Sequence, residues 1–335
     1  MSQPIRVRLM SQRGPFDEQE FRRRLPGGSL DQGDFLFDLT DTDDADVVLI
    51  QNYLKYDTWV TAREGYIWKW DNEPLVARPI VKGYDRVYTH LDIPENSIVH
   101  TAPPILDWWV GKTFDELEDL AIPEKTAKIS AIASTKTDIR GHLQRHQFLQ
   151  RVETELPEVH IFGRGRKQEL HDKWDGIAPY EYSIAIENTS KNDYWSEKIS
   201  DCFLSYTVPL YFGATNIDRY FPADSFISLP LQDSERALDV IRETMQEDSW
   251  SRRLEAVKEA RELVLRKYSF VAQVGHRVRR ETSEILASPI SRRLVHGRRT
   301  KKGGWIRGAG ILGNVKARIE RNRQRNLSHA SGIDA

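Results

Sequence analysis

Two carboxylates, an amide, a phenol and an ammonium group fall within one short stretch of this chain, as Glu187, Asn188, Tyr194, Glu197 and Lys198. Polar side chains of these types suit an anionic, hydroxyl-rich ligand if they gather at the start of a helix, where free N–H groups favour an anion such as a pyrophosphate. Two further groups stand apart in sequence: Glu73, directly before Pro74, and Arg145. Each residue also has an ordinary reading. Glu197 and Lys198 would serve as helix-surface charges, Glu187 and Asn188 as a capping pair, Arg145 as a solvated helix residue and Glu73 as an exposed loop acid.

The elements around the cluster decide whether it can converge. An apolar run over Tyr182–Ile186 has the length of a buried strand and breaks at Glu187 into the polar loop Thr189–Asp193. Helical spacing follows over Tyr194–Tyr206, with Trp195, Ile199, Cys202 and Phe203 on one face and Asp193 as the expected N-cap. A second buried strand is expected over Val208–Phe212, ended by Gly213. Strand, helix and strand make a βαβ unit, and open α/β sheets bind ligands outside the carboxyl ends of their strands. All five cluster residues map to that edge.

The same logic locates the two outlying groups. Gly65–Pro74 reads as a strand that surfaces at Asp71, Asn72 and Glu73, with Pro74 ending it. Glu64, Asp71 and Asp92 compete with Glu73 for any acidic role. Lys128–Ala133 reads as a strand leading to Ser134, and a helix is expected over RHQFLQRVETEL with Arg145 at its beginning. Further strands are expected at Ile5–Met10, Val47–Gln51, Tyr84–His90, Ser97–Ala102 and Val159–Phe162. Helices are expected at Asp233–Met245 and Ser249–Tyr268, and a last one running on through Leu286 that crosses back to the first domain. Asp41-Thr-Asp43 has the form of a metal-binding D-x-D, but it precedes a buried strand instead of following one, so a solvated loop is the better reading. Trp108 and Trp109 read as core more readily than as a sugar platform. Residues 115–125 read as a linker.

The order E-N, then Tyr194, then S-E-K, then T-V-P-L-Y-F-G-A and a Phe-Pro…Ser-Phe-Ile resembles the signature of the bacterial-type α-1,3-fucosyltransferases of glycosyltransferase family 10. The resemblance is specific over about fifty residues. It implies two Rossmann-like domains facing across a cleft, the GT-B type, where the alternating pattern alone implies only α/β. It also implies GDP-fucose as donor, held by Asn188, Tyr194, Glu197 and Lys198, with Arg145 on the pyrophosphate, the Gly163 region near the guanine, and Glu73 as general base toward a glycan acceptor. Inversion by direct displacement goes with it, with no cofactor required and a divalent cation at most stimulatory. The expected domains are 1–125 on the acceptor side, 126–287 binding the nucleotide sugar, and 288–335 as a basic tail. Two alternatives stay open: the same fold with another nucleotide sugar, or a non-catalytic, nucleic-acid-associated protein.

Composition bounds these readings. A chain of 335 residues suits two domains, and 39% hydrophobic residues suffice for their cores. The single cysteine, Cys202, excludes an internal disulfide and reads as buried filler. No stretch has the length and apolarity of a membrane span. The expectation is a cytoplasmic enzyme without a Golgi-type anchor. Residues 288–335 carry twelve Lys and Arg against two acids, a formal +10, which leaves −11 on the rest. The tail therefore reads as a contact to anionic lipid on the inner face of the membrane, as a disordered solubility tail, or, least well, as a nucleic-acid contact.

Overall fold

The computed structural model describes residues 3–40, 45–74, 80–105, 107–247 and 249–298. Asp41-Thr-Asp43 and most of the basic tail lie outside these residues. In chain order the elements are β1 (Ile5–Ser11), α1 (Glu18–Arg22), β2 (Phe35–Asp38), β3 (Val47–Gln51), β4 (Thr58–Arg63), β5 (Ile67–Trp70), β6 (Arg86–Thr89), β7 (Val99–Thr101) and α2 (Phe114–Glu118). They continue with β8 (Ala127–Ile132), α3 (Arg140–Glu155), β9 (His160–Phe162), β10 (Tyr180–Ile186), α4 (Glu197–Leu204), β11 (Val208–Phe212) and β12 (Ile227–Ser228). The last elements are α5 (Ser234–Gln246), α6 (Trp250–Leu263), α7 (Phe270–Arg280), α8 (Thr282–Ala287) and β13 (Ile290–Val295).

Two parallel sheets result, in keeping with the expected α/β class. The first has the order β2-β1-β3-β5-β6-β7 and the second β12-β11-β10-β8-β9. Strand β3 shows why the first sheet is buried on both faces. Val47 and Leu49 join a core with Phe21 of α1, with Phe270, Val274 and Val278 of α7, and with Ile285 of α8. Val48 and Ile50 point the other way, into a core with Val60 and Ala62 of β4 and Val295 of β13. The two-residue period of a strand thus divides one apolar run between two cores. The second sheet has its own core, to which α3, α4, α5 and α6 contribute Phe148, Ile199, Leu238 and Val257.

The expected tail starts too early. Residues 290–295 form β13, which pairs antiparallel with β4, Leu294 opposite Trp59 and Arg292 opposite Thr61. Only Val295 of β13 is fully buried, Ile290 and Arg292 are exposed and Arg293 pairs with Asp85, so the segment shows little apolar pattern of its own. Residues 115–125 are likewise not wholly linker, because Thr113 and Glu116 make a reciprocal capping box that starts α2. The helix expected over Ser249–Tyr268 ends in a π-helical turn at Val264–Tyr268, Ser269 then caps α7, and the long final helix is broken at Glu281, which separates α7 from α8.

Helix α7 carries the chain back to the first sheet, and Asp107 receives it. Its Oδ1 accepts the Phe270 N–H at 3.0 Å. Burial pushes the Asp107 carboxyl up to about 6, against the smaller opposing pull of that hydrogen bond and of Arg24. The folded chain therefore binds this proton more tightly than the unfolded chain. Its contribution is present at pH 4 and lost as pH rises through 6. Asp107→Asn keeps an acceptor for Phe270 without a buried charge. It should add on the order of 1–3 kcal/mol at pH 7 and nothing at pH 4, read from denaturant midpoints at the two pH values.

Candidate functional site

Polar residues follow directly on the carboxyl ends of the parallel strands in both sheets. In the first sheet these are Gln12 after β1, Asn52 after β3, Asp71, Asn72 and Glu73 after β5, and His90 after β6. In the second sheet they are Glu187 and Asn188 after β10. The two sets meet. Lys191 Nζ donates to the Pro74 carbonyl at 2.9 Å, and the rings of His90 and Tyr194 lie 5.0 Å apart.

The second set is organised by Glu187, which is 1% exposed. Its carboxylate accepts the Ser196 N–H at 2.8 Å, the Ser196 hydroxyl at 2.7 Å and Lys198 Nζ at 3.0 Å. Ser196 in turn caps α4, which begins at Glu197. The helix therefore starts three residues later than its apolar spacing predicts, and Asp193 is not its N-cap. Asp193 instead turns the loop with φ 60°, its N–H donating to Asn216 and its carboxylate accepting from Asn216 and Tyr220. A fully buried carboxylate demands donors, and only a cap at Ser196 brings N–H, hydroxyl and ammonium to it together.

Lys198 also donates to Glu197 at 3.2 Å and to the Ser196 hydroxyl at 2.9 Å. Burial pulls its pKa down, but Glu187 and Glu197 outweigh burial and hold it above the ordinary lysine value. Burial likewise disfavours the Glu197 carboxylate, yet Lys198 and Lys173 keep it below the usual range, so both groups are ionised at neutral pH. Arg145 sits in the second turn of α3, which begins five residues before the expected helix start. Its guanidinium donates to Asn188 Oδ1 at 2.8 Å, it is buried, and its Nε has no partner among the described residues. Tyr194 is buried, and burial first, then Glu187, Glu197 and Glu73, keep its phenol protonated.

Two glycines permit this packing. A Cβ on Gly141, in the first turn of α3, would lie 1.8 Å from the Asn188 carbonyl oxygen, and one on Gly213 would lie 2.6 Å from Glu187 Cγ. Gly141→Ala must push the Asn188 loop away from α3. It should cost about 1–3 kcal/mol of stability, measured by denaturant unfolding. An unchanged unfolding midpoint would mean that the Asn188 loop does not rest on α3 through Gly141.

Across the junction, Glu73 is held from two sides. Gln12 Nε2 donates to its carboxylate, and Asn52 Oδ1 accepts the N–H groups of Asn72 at 2.7 Å and of Glu73 at 3.1 Å. Asn52 takes a left-handed φ of 60°, which asparagine tolerates better than most residues. Of the competing acids, Glu64 and Asp92 are exposed, and Asp71 is fully buried and paired with Lys69. The seven residues singled out from the sequence thus share one neighbourhood. Ser196, the first residue of the S-E-K motif, belongs to it too, as do Gln12, Asn52, Lys191 and His90, which no local pattern marks. Of the two tryptophans after Ile105, Trp108 is core while Trp109 is 61% exposed.

Comparison with known proteins bears on the same region. Residues 122–250 match the family model described as glycosyltransferase family 10 (fucosyltransferase), C-terminal. The chain is 29% identical over 74 residues to the α-(1,3)-fucosyltransferase FucT of Helicobacter pylori, covering 22% of this chain and 16% of that protein. It is 34% identical over 74 residues to the 4-galactosyl-N-acetylglucosaminide 3-α-L-fucosyltransferase 9 of Homo sapiens, covering 21% of each. The aligned stretch thus spans only 16% and 21% of these relatives' length. Among solved structures, an α1,3-fucosyltransferase crystallised with GDP-fucose superposes with a TM-score of 0.51 at 16% identity, covering 79% of this chain and 92% of that one. That likeness establishes a shared fold.

Proposed function

We propose, on the premise that residues 122–250 form a C-terminal domain of glycosyltransferase family 10, that this protein transfers L-fucose from GDP-fucose to a glycan hydroxyl with inversion. The observation that carries the reading is the meeting of the two strand-end sets, Arg145, Asn188, Tyr194, Glu197 and Lys198 on one side and Glu73 on the other. The support for the donor is the family match over the segment that contains the first set, together with a solved relative of the same fold that holds GDP-fucose.

The charges required by such a transfer assign the roles. The sugar passes through an oxocarbenium-like state as its bond to the diphosphate breaks, so negative charge builds on the leaving group. Arg145, Lys198 and the N-terminal N–H groups of α4 would meet that charge. Asn188, Tyr194 and Glu197 would hold hydroxyls of the sugar or ribose. Glu73 would take the proton of the acceptor hydroxyl as it attacks from the opposite face. Lysine and arginine supply the positive charge, so a chelator should leave turnover within about twofold.

The test is turnover of a donor panel, GDP-fucose, GDP-mannose, UDP-galactose and CDP sugars, with galactosides and N-acetylglucosaminides as acceptors. GDP-fucose should be used at least tenfold faster than the other donors. Equal or faster use of a UDP or CDP sugar would overturn the donor assignment.

A further inference from the structure

The transferase reading has no task for His90, and its surroundings are unusual. It follows β6 on the carboxyl edge of the first sheet, two strands from Asn52 and beside the strand that leads to Glu73. Its side chain is 2% exposed. Nδ1 lies 3.1 Å from the Asp71 carbonyl oxygen, which can only accept, so Nδ1 carries the proton. Nε2 is then a bare lone pair, buried and without a hydrogen-bond partner among the described residues, and the Glu73 backbone also lies close to the imidazole. The ring lies against Tyr194 of the opposite set, tilted by 55°.

A buried acceptor with nothing to accept from is costly to a folded chain, and polar groups left so are few in native proteins. Protonation does not relieve it, because burial and then the nearby Lys191 ammonium push the imidazole down to about 3. A cation is an equally poor match, since Lys191 already stands close by. What fits is a neutral O–H donor arriving at the junction between Glu73 and Tyr194.

We propose that His90 Nε2 is a ligand-binding atom of this site, accepting a hydrogen bond from a sugar hydroxyl delivered to the junction of the two strand-end sets. The inference rests on the transferase reading and deepens it. His90 is here a neutral recognition group, while proton removal stays with Glu73. The hydroxyl belongs either to the acceptor or to the fucosyl group of the donor, and steady-state kinetics separate these sources.

His90→Asn keeps an N–H for the Asp71 carbonyl but places no acceptor at the Nε2 position, whereas His90→Gln reaches far enough to put its amide oxygen there. Both are assayed with GDP-fucose and a 4-galactosyl-N-acetylglucosaminide probe, alongside thermal unfolding of the full chain. The expected result is a loss of about tenfold in kcat/KM for the Asn variant, carried by the KM of one substrate, with the Gln variant recovering most of it. A raised acceptor KM assigns the hydroxyl to the acceptor, and a raised donor KM assigns it to the fucosyl group. Two variants that match the wild type within twofold would overturn the proposal, as would activity that falls in step with Tm and without a KM split. If the wild-type chain itself transfers no fucose, the transferase reading fails first and takes this inference with it. An active wild type with indifferent variants sinks the His90 assignment alone.

Discussion

Glu73→Gln should abolish transfer while sparing GDP binding. The glutamine side chain keeps the length of glutamate and still offers an amide oxygen to Gln12 Nε2, which now donates to the carboxylate. The backbone of the turn is untouched, because Asn52 holds it through the N–H groups of Asn72 and Glu73. An amide cannot accept the proton of an attacking hydroxyl, so kcat should fall by about 10²–10⁴. The GDP dissociation constant should stay within about twofold, since every group assigned to the diphosphate belongs to the second sheet and its helices. Single-turnover transfer and calorimetry with GDP measure the two quantities. A variant that keeps a tenth or more of wild-type turnover would move the base elsewhere, and the structure leaves little choice. Asp71 is two residues away but wholly buried against Lys69, and Glu64 and Asp92 are exposed, each in a different loop.

What could be read from residue order follows from how local each signal is. The β10, α4 and β11 run was legible because strand period, polar break and helical period follow one another without interruption. The position of the α4 cap was not, since Asp193 and Ser196 both suit an N-cap. The choice falls to Ser196 because the buried Glu187, nine residues earlier, needs its N–H and hydroxyl. Asn52 and Lys191 were invisible for a stronger form of the same reason. Their partners lie 20 and 117 residues away, and nothing near either residue announces a clamp. Strand β13 failed to register because its partner β4 lies more than two hundred residues earlier and its Arg292-Arg293 pair interrupts the apolar pattern, which reads as a tail until the pairing is seen.

Lys198→Met should cost both binding and stability, and the two losses should come apart. With the ammonium gone, Glu187 loses its only cation within salt-bridge reach among the described residues while staying fully buried. Breaking one side of a buried pair typically costs about 3–5 kcal/mol, most of it the penalty of the stranded charge. On the proposed role the same substitution also removes a charge-assisted contact to the diphosphate, about 1.5–3 kcal/mol, so GDP affinity should drop roughly ten- to hundredfold. A second change, Glu187→Gln, neutralises the stranded carboxylate while its amide oxygen still accepts from Ser196. The double variant should recover most of the stability yet bind GDP no better than Lys198→Met. Recovery of both would mean that Lys198 serves only to balance Glu187 within the fold. Recovery of stability alone would leave the ammonium as a group whose charge is turned toward a ligand, with Glu187 as the residue that keeps it protonated and in place.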